Sequence, residues 1–255
     1  MIKLKNSREI ELMRQAGKIT AAARALAGEL VIAGVTTQKI DKAVKDYILS
    51  EGGRPAFLGY NGFPKSTCIS INSEVIHGIP GSRLLRDGDV VSVDVGVEKD
   101  GWFGDCAATF IVGQGTETAQ RLVEVTRESF YEGLKFATAG NRISDISRAV
   151  QAYAEKHGFS VVREYVGHGI GAQMHEAPEV PNYIQHPRRS ADPRLVAGMV
   201  ICVEPMINAG SAAIKVLKDG WTVVTQDGNL SAHYENTILI TSGEPEILTV
   251  SEAAI

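Results

Sequence analysis

The chain has 255 residues, of which 44% are apolar, enough to bury a sizeable core in one large domain or two small ones. Its 26 basic and 30 acidic residues leave a formal charge of -4, which excludes a broad electrostatic attraction to nucleic acid or to an anionic membrane. No apolar run has the length of a signal peptide or membrane span, and Cys68, Cys106 and Cys202 form neither a CxxC zinc pattern nor a disulfide framework, so a soluble cytoplasmic protein with buried thiols is expected.

In chain order, Asn6 and Glu9 form a capping box for a helix reaching about Leu30, with Ile10, Met13, Ala21 and Ala25 on its apolar face. A second helix starts near Thr37, sets Ile40, Ala43 or Val44, Tyr47 and Ile48 on one face, and stops at Gly52 and Gly53. Two more are expected over about Glu117 to Gly133 and Ser144 to His157. The segments "VVSVDVGV", "CAATFIV", "VVREYVG", "MVICVEP", "WTVVTQ" and "TILIT" read as strands. No strand-helix-strand alternation of the doubly wound kind is present, which favours an α+β domain with helices covering antiparallel sheet. The segments "KDGWFGDCAATFIVG" and "QDGNLSAHYENTILITSG" echo each other, each with Asp-Gly, an acid and an apolar strand ending in glycine. The echo fits ordinary hairpin grammar or a single domain of two related halves, roughly 1–115 and 116–255. The basic cluster "HPRRSADPR" reads as a solvated loop.

Acidic residues at strand positions draw attention next. Asp94 lies in an almost wholly apolar strand, where an uncompensated carboxylate is costly. A two-residue turn at Asp100-Gly101 sets position 96 opposite 105, so Asp94 and Asp105 share a face on a diagonal of ~7 to 8 Å. Glu204 closes the strand "MVICVE", and Glu235 opens another. Four gathered carboxylates would repel one another, and no lysine or arginine lies within these strand segments. A pair of divalent cations would balance them, with His168 of "YVGHGIGAQMHEAP" completing an oxygen and nitrogen donor set. Taken singly, each residue also has a plain reading as a turn, cap, loop, solvent-facing or satisfied buried residue; their joint placement points to a metal centre. Two such metals activate a water for attack on a carbonyl, so hydrolysis is the expected chemistry. His175 and His77 are candidates to orient the substrate.

The motifs "NGFPKSTCISINSEVIHGIP", "DVGVEKDGWFGD", "GHGIGAQMHEAP", "VEPMINAG" and "SAHYENTILIT" together resemble the type I methionine aminopeptidases, of the pita-bread fold, from about Ser7 to Thr249. The resemblance implies two divalent cations, manganese, iron, cobalt or zinc. Asp94 would bind the first, Asp105 and Glu235 would bridge, and His168 and Glu204 would complete the second. It also implies that Glu204 carries a proton, His175 stabilises the carbonyl oxygen and His77 contacts the scissile nitrogen or the following backbone. Tyr60, Phe63, Cys68, Met174 and Trp221 would form a methionine pocket whose apolar, sulfur-rich lining suits a thioether. The substrate would be the N-terminal methionine of nascent polypeptides with a small second residue.

Several positions depart from the family pattern. Met174 and Phe57 stand where an aromatic residue and a cysteine are common, and Gly96 and Cys202 where threonine is common. These exchanges bear on pocket shape and on the support of the metal ligands. The segment 182–197 is slightly long and is expected to form a rim loop. No zinc-finger extension or type II insertion is present, so a monomeric catalytic core is expected, with Arg188 and Arg189 as faint candidates for transient ribosome contact. Two alternatives remain: an X-Pro aminopeptidase or prolidase of the same fold, and a binding protein that has lost catalysis.

Overall fold

The computed structural model describes residues 1–184 and 192–250. Most of the basic cluster, including Arg188 and Arg189, falls within 185–191, outside the described residues. Among the described residues no helix is long and apolar enough to cross a membrane.

Helix α1, Ser7–Glu29, begins with the expected box: Asn6 Oδ1 accepts from the main-chain nitrogens of Arg8 and Glu9 at 3.0 and 3.1 Å, and Glu9 Oε2 accepts from Asn6 N at 2.8 Å. Helix α2, Thr37–Ser50, ends before Gly52, whose φ of +69° continues the chain in a left-handed conformation that glycine adopts without strain. Helices α3, Glu117–Leu134, and α4, Ile143–Lys156, match the remaining expectations to within a residue or two.

An antiparallel nine-stranded sheet organises the molecule. Its main order is Arg54–Pro55, Val90–Lys99, Trp102–Ile111, Glu235–Leu239, Val200–Val203, Gly167–Gly169 and Glu176–Val180. Thr67–Ile71 also pairs with Val90–Lys99, and Glu246–Ile247 with Glu235–Leu239. The central hairpin has the register expected from its turn, with Gly96 opposite Asp105. Asp100 and Gly101 both take positive φ, 51° and 83°, as a two-residue turn matched to strand twist requires.

Alternation along the strands assigns their two faces. Val91, Val93, Val95 and Val97 pack into a core with Ala23 and Ala27 of α1 and Ile40, Val44 and Ile48 of α2. Ile201, Val203 and Ile238 pack with Phe130 of α3 and Ile146 and Val150 of α4. Each of these valines, isoleucines and the phenylalanine contributes roughly 1.5–3 kcal/mol on burial. Helices therefore cover one face, and Asp94, at an even position between the valines, projects from the other.

Two expected strands are shorter than their sequences suggest. "VVREYVG" is not one strand: its first residue ends the short strand Ser160–Val161, paired with Met206–Asn208 in a small sheet, and its last begins Gly167–Gly169, because the residues between cross to the large sheet and turn Tyr165 edge-on to His77 at 5.6 Å. "WTVVTQ" contracts to Val223–Thr225, between Ile214–Val216 and Glu74–Ile76.

Candidate metal centre

The hairpin register determines where the acids fall. Asp94 pairs with Ala107, and Ala107 pairs on its other side with Glu235, so the three stand in one row across the sheet. Asp105, two residues before Ala107, projects from the same face. Cys68 extends the row beyond Asp94. Cys202 pairs with Thr237, which brings Glu204, just past the strand end, beside Glu235. His168 arrives on the neighbouring strand Gly167–Gly169.

Donor atoms of Asp105, His168, Cys202 and Glu235 lie within 4.8 Å of one another, as do those of Glu204, His233 and Glu235. His168 Nε2 is 3.7 Å from Asp105 Oδ2 and 3.8 Å from Glu204 Oε1. Asp94 falls outside both sets, but it lines the same cavity as Asp105, His168, Glu204 and Glu235.

Burial, before any other cause, raises Asp94 to about 7. It also holds Asp105, Glu204 and Glu235 well above the usual carboxylate range, with mutual repulsion adding to each. Among the described residues no lysine or arginine lines the cavity. Asp94 Oδ1, Asp105 Oδ1 and Glu235 Oε1 are buried without a hydrogen-bond partner. Oxygens left in this way fit divalent cations, which would satisfy them and cancel the repulsion.

The imidazoles are neutral for the converse reason. Burial lowers His168 to about 3, and its Nδ1 donates to Gly169 O at 2.9 Å, leaving the Nε2 lone pair toward the acids. Burial lowers His77 to about 4, with His175 adding to the effect. His77 adopts a φ of 59°, rare for a residue with a side chain, and is flanked edge-on by Tyr165 and Trp221. The ring of His175 lies 4.2 Å from that of His168, and its Nδ1 is 2.8 Å from Tyr60 Oη. Its loop is pinned by Glu176, which accepts from Lys5 Nζ at 2.8 Å in a buried ion pair and from Gln173 N at 3.2 Å.

A cavity of ≈ 180 Å³ joins the acids to an apolar recess formed by Tyr60, Phe63, Cys68 and Trp221. Phe63 and Trp221 meet edge to face at 5.1 Å. Asp41 anchors the start of the strand bearing Cys68, its Oδ1 accepting from Ser66 N, Thr67 N and Thr67 Oγ1 at 2.9 to 3.0 Å. Met174 is buried in the same apolar cluster but stands behind the lining. Two departures noted in the sequence are coupled: a Cβ at Gly96 would lie 2.6 Å from the Phe57 ring, so the large residue at 57 occupies the space that a side chain at 96 would need.

The sequence reading missed His233. It is 2% exposed, and its Nε2 has no hydrogen-bond partner while lying 3.8 Å from both Glu204 Oε2 and Glu235 Oε2. Burial lowers its pKa to about 3. The available signal was its place two residues before Glu235 in "SAHYENTILIT".

Fold and site together define a metal-dependent hydrolase. The profile of Metallopeptidase family M24 matches residues 11–242. The chain is 52% identical to a methionine aminopeptidase of Clostridium perfringens, across 98% of this chain and 99% of that one. Crystal structures of methionine aminopeptidases from Rickettsia prowazekii and Thermotoga maritima superpose with TM-scores of 0.94 and 0.93, each at 42% identity. Both cover 98% of this chain, and 100% and 99% of their own. The chain belongs to metallopeptidase family M24 and, within it, to the type I methionine aminopeptidases, with their α+β pita-bread fold.

Two outcomes follow from this geometry. Gly96→Thr alone should destabilise the fold, and adding Phe57→Cys should recover roughly 1–3 kcal/mol of coupling in a double-mutant cycle of urea melts. The second concerns pH. In chelator-treated protein Asp94 titrates near 7 rather than 3.8, so the folded state binds a proton that the unfolded state has released. Its contribution is therefore full below the unfolded value and is lost as pH rises toward about 7. Thermal melts with and without EDTA should show the stability gap widening from pH ~5 to pH ~7.5; a constant gap would contradict the assignment.

Proposed function

We propose that the protein removes the first methionine from peptides and nascent proteins whose second residue is small. The observation that carries this reading is the continuity, within one cavity, of the buried acidic face and the apolar, sulfur- and aromatic-lined recess. In this reading Asp94, Asp105, His168, Glu204 and Glu235 would hold two divalent cations, Asp94 serving a first, His168 and Glu204 a second, and Asp105 and Glu235 shared between them. Manganese, iron, cobalt and zinc all suit such oxygen and imidazole donors. When bound, such cations polarise a carbonyl and lower the pKa of a water to about 7.

The chain's own groups do the rest. The recess of Tyr60, Phe63, Cys68 and Trp221, shaped from behind by Met174, takes the thioether and sets the first carbonyl over the acidic face. Glu204 accepts the proton of the attacking water and returns it to the departing nitrogen. His175, its Nδ1 held by Tyr60 Oη, has Nε2 left to donate to the carbonyl oxygen as charge grows there. His77 contacts the scissile nitrogen or the next residue's backbone. The same reading treats the chain as one catalytic unit of two related halves. In support, Asp105 and Glu235 occupy adjacent strands of the sheet, one from each half.

Peptide hydrolysis tests the proposal. With added divalent metal, Met-Ala-Ser should be cleaved in strong preference to Ala-Pro peptides; the reverse order would make the protein an X-Pro peptidase. Glu204→Ala should keep the fold, checked by circular dichroism, and reduce methionine release by at least ~100-fold. Undiminished release at saturating metal would exclude the mechanism.

A further inference from the structure

We propose that His233 is a metal ligand, its Nε2 combining with Glu204 Oε2 and Glu235 Oε2 to hold a divalent cation on the side of Glu204 that faces away from His168. The inference rests on the metallohydrolase reading of the same centre and adds to its two cations a further position on the other side of Glu204.

Three observations carry it. The first is an isolated nitrogen: His233 is 2% exposed and its Nε2 has no hydrogen-bond partner. The second is distance. Nε2 stands 3.8 Å from each of two carboxylate oxygens, too far for a hydrogen bond to either. A transition-metal ion with bonds of about 2.0–2.2 Å stands naturally between donors up to about 4.2 Å apart. His168 shows nearly the same spacing, 3.7 and 3.8 Å, to Asp105 and Glu204. The third is the division of Glu204. Its Oε1 faces His168 and its Oε2 faces His233, and the two imidazoles belong to different donor sets. One carboxylate thus stands between two nitrogen donors.

The backbone fixes His233 in place. Thr109 Oγ1 accepts from His233 N at 2.9 Å and donates to His233 O at 2.8 Å, while pairing with Met206 holds the strand against the segment that follows Glu204. A third metal-facing imidazole nearby, had it existed, would have blurred the assignment; His77 and His175 are in neither donor set. The result is a centre with more nitrogen character than its carboxylates alone would give, which favours zinc, iron or cobalt over manganese.

The test is ligation itself. Protein carrying isotopically labelled histidine is stripped with chelator and loaded with NMR-active cadmium, and the imidazole nitrogens coupled directly to the metal are counted. Two coupled nitrogens, from His168 and His233, are expected in the wild type, and one in His233→Gln. A single coupled nitrogen in the wild type overturns the inference while leaving the metallohydrolase reading intact. A protein that takes up no cadmium or zinc at all overturns both. Zinc titration gives a second measure: His233→Gln should lose about 10-fold or more in affinity for the cation beside Glu204. Equal affinity in a variant with unchanged circular dichroism counts against the proposal, and the wild-type count stands whether or not the variant folds.

Discussion

Four carboxylates share one buried face of a sheet, and among the described residues no lysine or arginine lines the cavity they face. Every other feature of the site answers that constraint. A buried ion without a partner costs several kcal/mol even after relaxation, so the cation-free protein keeps protons on these groups. The opposite face of the same strands supplies the opposing stabilisation, because its valines and isoleucines pack against the four helices. One set of strands thus carries an apolar core on one face and the buried acids on the other, separated only by the alternation of side chains.

Neutral imidazoles complete the arrangement. Had His168 been protonated it would pair with the acids and compete with metal; burial and the hydrogen bond to Gly169 keep its lone pair free. His175 and His77 are depressed by the same burial, so each can act as a hydrogen-bonding group rather than a fixed charge. The apolar recess beside them is fashioned by exchange rather than by addition. Phe57, which lines the cavity, fills the volume that Gly96 leaves.

Much of this was legible in the sequence wherever local rules fix geometry. The Asp100-Gly101 turn set the register of the hairpin, and with it the shared face of Asp94 and Asp105. Capping and helical periodicity located the four helices. What escaped depended on contacts between distant segments. The strand expected over 161–167 breaks because the chain there crosses between two sheets, which periodicity does not record. His233 looked like an ordinary strand residue until its pairing opposite Met206 set it beside Glu204. Likewise Gly96 and Phe57 read as two separate oddities, since only the folded sheet shows one ring occupying the other's space.

The acids nearest the middle of the site come from strands far apart in the chain. Asp105 N donates to Thr237 Oγ1 across a separation of 132 residues, and the neighbouring pair Cys106 and Asn236 locks the two strands together. A chain emerging from synthesis therefore presents no finished chelating pocket until almost its whole length has been made and zipped into place. The donor set is thus a property of the nearly complete chain, and no fragment ending before Glu235 holds all of its acids.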